Sequence, residues 1–96
     1  MQTIFIKSNS SKIIIPLLTG ALEREKRILI DSIRREKEKI NKLAKNLTVD
    51  IDKLMAGEIE HTESNEMELI ELEGEIEILR HLENELNALE SLEICQ

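Results

Sequence analysis

Apolar residues along this chain change their spacing twice, and each change predicts a different element. Thr3-Ile4-Phe5-Ile6-Lys7 and Lys12-Ile13-Ile14-Ile15 are short β-branched runs, the composition of strands. Between them, Ser8-Asn9-Ser10-Ser11 supplies short polar side chains that favour turns. Residues 1–16 therefore read as an N-terminal β-hairpin arm, ended by Pro16, which has no N–H to give to a ladder. Two strands alone are marginal in water, so this arm needs the rest of the chain, or another chain, to pack on.

From Leu17 onward the spacing becomes a heptad. Leu22, Leu29, Glu36 and Leu43 recur every seven residues, and Lys26, Ile33, Ile40 and Leu47 follow each by four. This is the a/d alternation of a helical seam. Lys26 and Glu36 interrupt it, as polar residues do when they fix register or reach out to solvent. A long helix over 17–46 follows, about 45 Å at 1.5 Å per residue. Glu23, Glu25 and Asp31 lie toward its start and Lys42 and Lys45 toward its end, which complements the helix dipole. Thr48-Val49-Asp50-Ile51-Asp52 reads as the start of a short helix over 49–56, with Gly57 as its stop. After a polar connection, Asn65 and Glu68 resemble a capping box opening a last helix over 66–93.

That last helix carries a stripe at Leu69, Leu72, Ile76, Leu79, Leu82, Leu86, Leu89 and Leu92. Its steps of three and four average below 3.6, so the stripe asks for left-handed supercoiling against a partner. The expected seam joins Leu22, Leu29, Ile33, Ile40, Leu43 and Leu47 to Leu72, Ile76, Leu79 and Leu86. The fold class expected is mainly α: an antiparallel helical hairpin or coiled coil over 17–96, with the short β-hairpin over 1–16. Ile28 and Ile30 flank the first seam, and Met67, Ile70 and Ile78 lie off the second. One hairpin cannot cover all of these, so a second copy or a different protein is expected to do so, as a homodimer or a hetero-complex.

Composition narrows this further. Phe5 is the one Phe, Tyr or Trp in 96 residues, so the core must be a thin seam of Leu and Ile. No run approaches the roughly 18 apolar residues of a membrane span, and Met1–Ile6 lacks the basic start of a secretory signal. The single Cys95 cannot staple one chain, which points to a reducing, cytoplasmic setting. Charge divides the molecule: residues 1–57 carry 12 Lys/Arg against 7 Asp/Glu, residues 58–96 carry one Arg against 13 Glu, and the whole chain is −7. A basic helix and an acidic helix can pair, but a surplus of acid is left for another molecule.

Candidate chemistry is sparse. Glu71, Glu73, Glu75 and Glu77 alternate in a helix of 3.6 period and spread around it instead of converging on one proton. His81 has Glu77 and Glu85 four residues to either side, but one helix sets such groups in a line where a tetrahedral shell does not close. No nucleophile stands at a known spacing from a histidine, and Lys12 has no glycine-rich phosphate loop. Catalytic, cofactor and metal sites are not expected. The basic run from Arg24 to Lys45 is interleaved with Glu23, Glu25, Asp31, Glu36 and Glu38, and no aromatic is present to stack on bases, so direct nucleic-acid binding is not expected either. Gly74, mid-helix, costs about 1 kcal/mol against Ala. Either a strong helix absorbs that, or a partner helix approaches closely there.

Three stretches carry a resemblance: Ile15-Pro16-Leu17-Leu18-Thr19-Gly20-Ala21-Leu22-Glu23-Arg24-Glu25-Lys26, then Asp52-Lys53-Leu54-Met55-Ala56-Gly57-Glu58, then Glu71-Leu72-Glu73-Gly74-Glu75-Ile76-Glu77. Over about 13–92 the chain resembles the small prokaryotic helical antitoxins of toxin–antitoxin pairs. The resemblance implies a toxin-binding protein with no catalytic residues to carry over. The function expected is a non-enzymatic protein-binding module that neutralises a basic partner through its acidic last helix, with Met67, Ile70, Glu71, Glu75, Ile78 and Glu85 as partner-binding residues. The alternative is a structural or assembly protein whose hairpins form a dimeric four-helix bundle. A third reading is a transcriptional regulator using the N-terminal strands and the basic helix.

Overall fold

A computed structural model describes residues 2–7 and 9–95, without the side chains of Gln2, Glu93 and Cys95. Ser8 of the expected turn and the thiol of Cys95 thus lie outside the described residues. The chain is mainly helical, in the order β1 (Gln2–Phe5), α1 (Ser11–Leu47), α2 (Ile51–Met55), α3 (Glu66–Glu90) and β2 (Leu92–Cys95). At 1.5 Å per residue, α1 alone is about 55 Å long, most of the 62 Å length of a rod 20 by 16 Å across.

α1 packs on α3. Ile40, Ala44, Leu54, Leu69, Leu72 and Ile76 form one buried cluster, with Leu69 and Leu72 fully enclosed. Toward the other end, Thr19, Leu22 and Lys26 of α1 share a shallow cleft with Leu89 of α3 and Leu92 and Ile94 of β2. Early residues of α1 thus meet late residues of α3, and the two helices run in opposite directions. Every residue named above for the seam is buried or partly buried. Sequence spacing had not singled out Ala44 and Leu54. Ala44 sits one turn beyond Ile40, and α2 brings Leu54 in as a lid on the bend end of the cluster.

The N-terminal β-hairpin is not formed. Lys12–Ile15 belong to α1, which begins at Ser11, where the carbonyl of Ser10 accepts the Ile13 and Ile14 N–H groups at 2.9 Å. The run of three isoleucines has strand composition, but Ser11, Ile14, Leu18 and Leu22 recur at helical spacing and turn inward together. Packing outweighs intrinsic preference here. Pro16 lies within the helix, where it gives up its own ladder bond and its ring crowds the carbonyl four residues back, a cost the packing of the helix must offset. The strand that does form, β1, pairs in parallel with β2, Gln2 opposite Leu92 and Phe5 opposite Cys95. Residues 92–93, expected as the end of the last helix, are therefore strand.

The ends of the helices are held by specific residues. Thr48 closes α1 in the left-handed conformation, φ 57° and ψ 46°, and the Val49 N–H reaches back to the Ala44 carbonyl at 2.9 Å. The N-cap of α2 is Asp50, whose Oδ1 accepts the N–H groups of Asp52 and Lys53. Gly57, at φ 75°, turns the chain away after α2. Asn65 stands at the start of α3 but does not form the expected capping box. Its Oδ1 instead accepts the Thr62 N–H at 2.7 Å and its amide donates to the Glu60 carbonyl, tying down the preceding loop.

Candidate docking faces of α1 and α3

Where two helices pack through one stripe each, the opposite stripe faces outward, and in this molecule both outward stripes carry apolar residues. On α3, Met67, Ile70 and Ile78 are 82%, 56% and 49% exposed. They are spaced three, seven and eleven residues along one face with Gly74 between them. A Cβ built on Gly74 would meet nothing within 4 Å, so the glycine leaves a shallow dip in an open surface. On α1, Ile13, Leu17 and Ile28 are exposed on the face turned away from α3.

Of the residues expected to bind a partner, Met67, Ile70, Ile78 and Glu85 share the outer face of α3, and exposed Glu71 flanks it. Glu75 does not join them. It is turned toward α1, its side chain only 14% exposed, with Oε1 accepting from Lys39 Nζ at 2.8 Å. Beside it lies Glu36, one of the two polar residues that interrupt the heptad. Glu36 Oε1 is buried with no hydrogen-bond partner among the described residues. Hydrogen bonding to Glu75, with burial second, raises the Glu36 pKa above the ordinary 4.5. Hydrogen bonds from Glu36 and then from Lys39 lower that of Glu75. The pair thus pushes Glu36 toward its protonated form and Glu75 toward its ionised form, with the ammonium of Lys39 closing the cluster. This cluster belongs to the α1–α3 contact and explains how a seam accommodates Glu36. The other interruption, Lys26, is half-buried and reaches Glu23 at 3.3 Å.

Several of the remaining charges pair along their own helices. Arg34 bonds Asp31 at 2.8 Å and Glu38 at 3.0 Å, Arg35 reaches Asp31 at 3.1 Å, and Arg80 bonds Glu77 at 3.0 Å. Arg34, and then Arg35, hold the Asp31 carboxyl below its ordinary range. His81 Nε2 lies 2.9 Å from Glu85 and His61 Nε2 3.3 Å from Glu73, while Glu77 turns to Arg80. Among the described residues no three His, Cys, Asp or Glu side chains converge as metal ligands. Nor is any described helix long and apolar enough to cross a membrane. Sequence reasoning named Ile28 and Ile30 as uncovered but missed the continuation of the outer face of α1 through Ile13 and Leu17. Its signal was present in Ile13, Leu17, Gly20, Arg24 and Ile28, spaced by three or four, but the strand reading of Ile13 concealed it. Compared with family models, curated proteins and solved structures, the chain matches none.

Proposed function

We propose that the protein is a non-enzymatic protein-binding module, and that the outer face of α3 is its docking surface for a basic protein. The observation that carries this is the exposed stripe of Met67, Ile70 and Ile78 on a helix with a strong excess of Glu. Apolar residues at i, i+3 and i+11 give a partner area to bury. The ring of carboxylates around them rejects acidic surfaces and guides basic ones. In this reading α1 and α3 form an antiparallel coiled-coil hairpin, a reading supported by the 3.5-residue spacing of the seam. The likeness to antitoxins adds that the partner is a toxin and the setting the cytoplasm; Glu71 and Glu85 would then stand in for the phosphates that a ribonuclease surface holds.

The test is capture from native extract with wild type and with Met67→Asp/Ile78→Asp, a change at exposed positions that leaves the core alone. A basic protein retained by wild type and lost by the variant supports the reading. A partner that docks through an acidic face, or that binds both forms equally, removes it. The second reading, a structural assembly protein, is favoured by a separate observation: α1 also exposes an outer apolar stripe.

A further inference from the structure

We propose that a second copy of this chain lays the outer face of its α1 along the outer face of α3, the two helices parallel, so that copies join head to tail. The inference rests on the reading of α3 as a docking surface and names an occupant for it.

Both faces have the same spacing. On α1, Leu17, Gly20, Arg24, Ile28, Asp31 and Arg35 occupy steps 0, 3, 7, 11, 14 and 18. On α3, Met67, Ile70, Gly74, Ile78, His81 and Glu85 occupy the same steps. All of these are exposed apart from the half-covered Gly20. A register in which residue n of α1 meets residue n + 50 of the neighbouring α3 matches them throughout. Leu17 then meets Met67, and Ile28 meets Ile78. The glycines alternate with large side chains: Gly20 opposes Ile70, and Arg24 opposes the dip at Gly74. Within one chain the Arg24 guanidinium lies over Gly20, 3.5 Å from where a Cβ would stand. Swinging it off toward Gly74 opens a hole for Ile70 and fills the one at Gly74. Charge agrees as well. Arg27 faces Glu77 and Arg35 faces Glu85, while the ring of His81 stands where it can donate a hydrogen bond to Asp31.

Antiparallel pairing of α3 with α3 would instead bring two acidic faces together. The overlap from residue 17 to 35 runs about 27 Å at 1.5 Å per residue. Within one chain the same charged groups hold local partners, Asp31 with Arg34 and Arg35, Glu77 with Arg80, and His81 with Glu85. Such exposed pairs are weak and can be exchanged across an interface at little cost. Because the two faces point away from each other, the contact is heterologous. It repeats into a ring or an open chain instead of stopping at a two-fold dimer.

Complementation of two broken faces tests this. Leu17→Asp/Ile28→Asp destroys the α1 face, and Met67→Asp/Ile78→Asp destroys the α3 face. Both pairs sit at exposed positions, and circular dichroism confirms that each variant is folded. In sedimentation velocity, wild type should exceed twice the 11.1 kDa chain mass as concentration rises, and each variant alone should remain a monomer. Their equimolar mixture should form a one-to-one dimer and stop there. Adding Arg35→Glu to the second variant should weaken that dimer several-fold, and Glu85→Arg in the first should restore it. A monomeric wild type, variants that still self-associate alone, or a mixture that stays monomeric overturns the proposal. If wild type is monomeric yet still captures a basic protein through α3, only the second copy is excluded. If Met67→Asp/Ile78→Asp alters neither association, the docking surface falls with it.

Discussion

Thr48 and Glu36 are the two residues held in settings their chemistry disfavours. Thr48 is β-branched and adopts positive φ, the one non-glycine among the described residues to do so. A left-handed residue with a Cβ costs about 1–2 kcal/mol. The bond from Val49 to Ala44, and the packing of Val49 on the buried cluster, hold it there. Thr48→Gly removes the steric cost and adds some freedom to the unfolded chain. The expected net is a stabilisation of about 1 kcal/mol, a rise of roughly 4–8 °C in Tm for a domain of this size. Calorimetry that shows no rise would place the cost elsewhere. Glu36 imposes a pH dependence. Its raised pKa means that the folded state binds its proton more tightly than the unfolded chain, so its contribution is favourable in acid and is lost as pH rises past 4.5. Glu75 works in the opposite sense, its contribution present above 4.5 and lost as pH falls below it. Glu36→Gln keeps a donor for Glu75 at every pH. Melting followed at pH 4 and pH 7 should show a clear gain for the variant at pH 7 and little at pH 4. Equal gains at both would mean that Glu36 is ionised throughout.

Between elements, the α1–α3 seam carries most of the burial. Ile40 is 3% exposed at its centre, and Ile40→Asp would set an unpaired charge among Ala44, Leu72 and Ile76. That costs several kcal/mol, comparable with the stability of a small domain. Far-ultraviolet circular dichroism at 25 °C should lose most of its helical signal, and a melting point within a few degrees of wild type would contradict the packing. The seam was legible in the sequence because its residues repeat with a period that belongs to helices alone. The strands were not. Ile13-Ile14-Ile15 has strand composition but a helical neighbourhood, and only contacts with distant residues decide between them. Leu92 continues the α3 stripe in spacing, yet the helix ends at Glu90 because β2 finds its partner near the other end of the chain. A pairing between Gln2 and Leu92 leaves no trace in any local window. The outer face of α3 was readable as apolar residues off the seam. The inward turn of Glu75 was not, since an acidic helix offers a carboxylate on every side.

Taken whole, the molecule is a rod. Its radius of gyration is 19.2 Å, against about 12.5 Å for a compact domain of this length. So slender a body leaves few places for a closed pocket and gives much of its surface to helix faces. Charge is distributed lengthwise in sequence but side by side in space, since basic α1 lies against acidic α3. Glu75 is partly neutralised by Lys39, while Glu71 and Glu85 remain exposed. If these steer a basic partner, Glu71→Gln/Glu85→Gln should slow association and flatten its salt dependence, because exposed charges are screened beyond about 8–10 Å at physiological ionic strength. Stopped-flow binding at two salt concentrations checks this, with circular dichroism unchanged. An on-rate identical to wild type would leave the acidic face with no steering role.

The parallel clasp of β1 and β2 has a mechanical meaning. Tension from flanking chain would enter at the Gln2 end of β1 and leave at the Cys95 end of β2, which lie at opposite ends of the ladder because the strands are parallel. Such a load pulls along the strands, and the rungs bear it together instead of opening one by one. Everything from residue 6 to residue 91 lies within the loop that this clasp closes, so the helices carry no load until the two strands slide past each other.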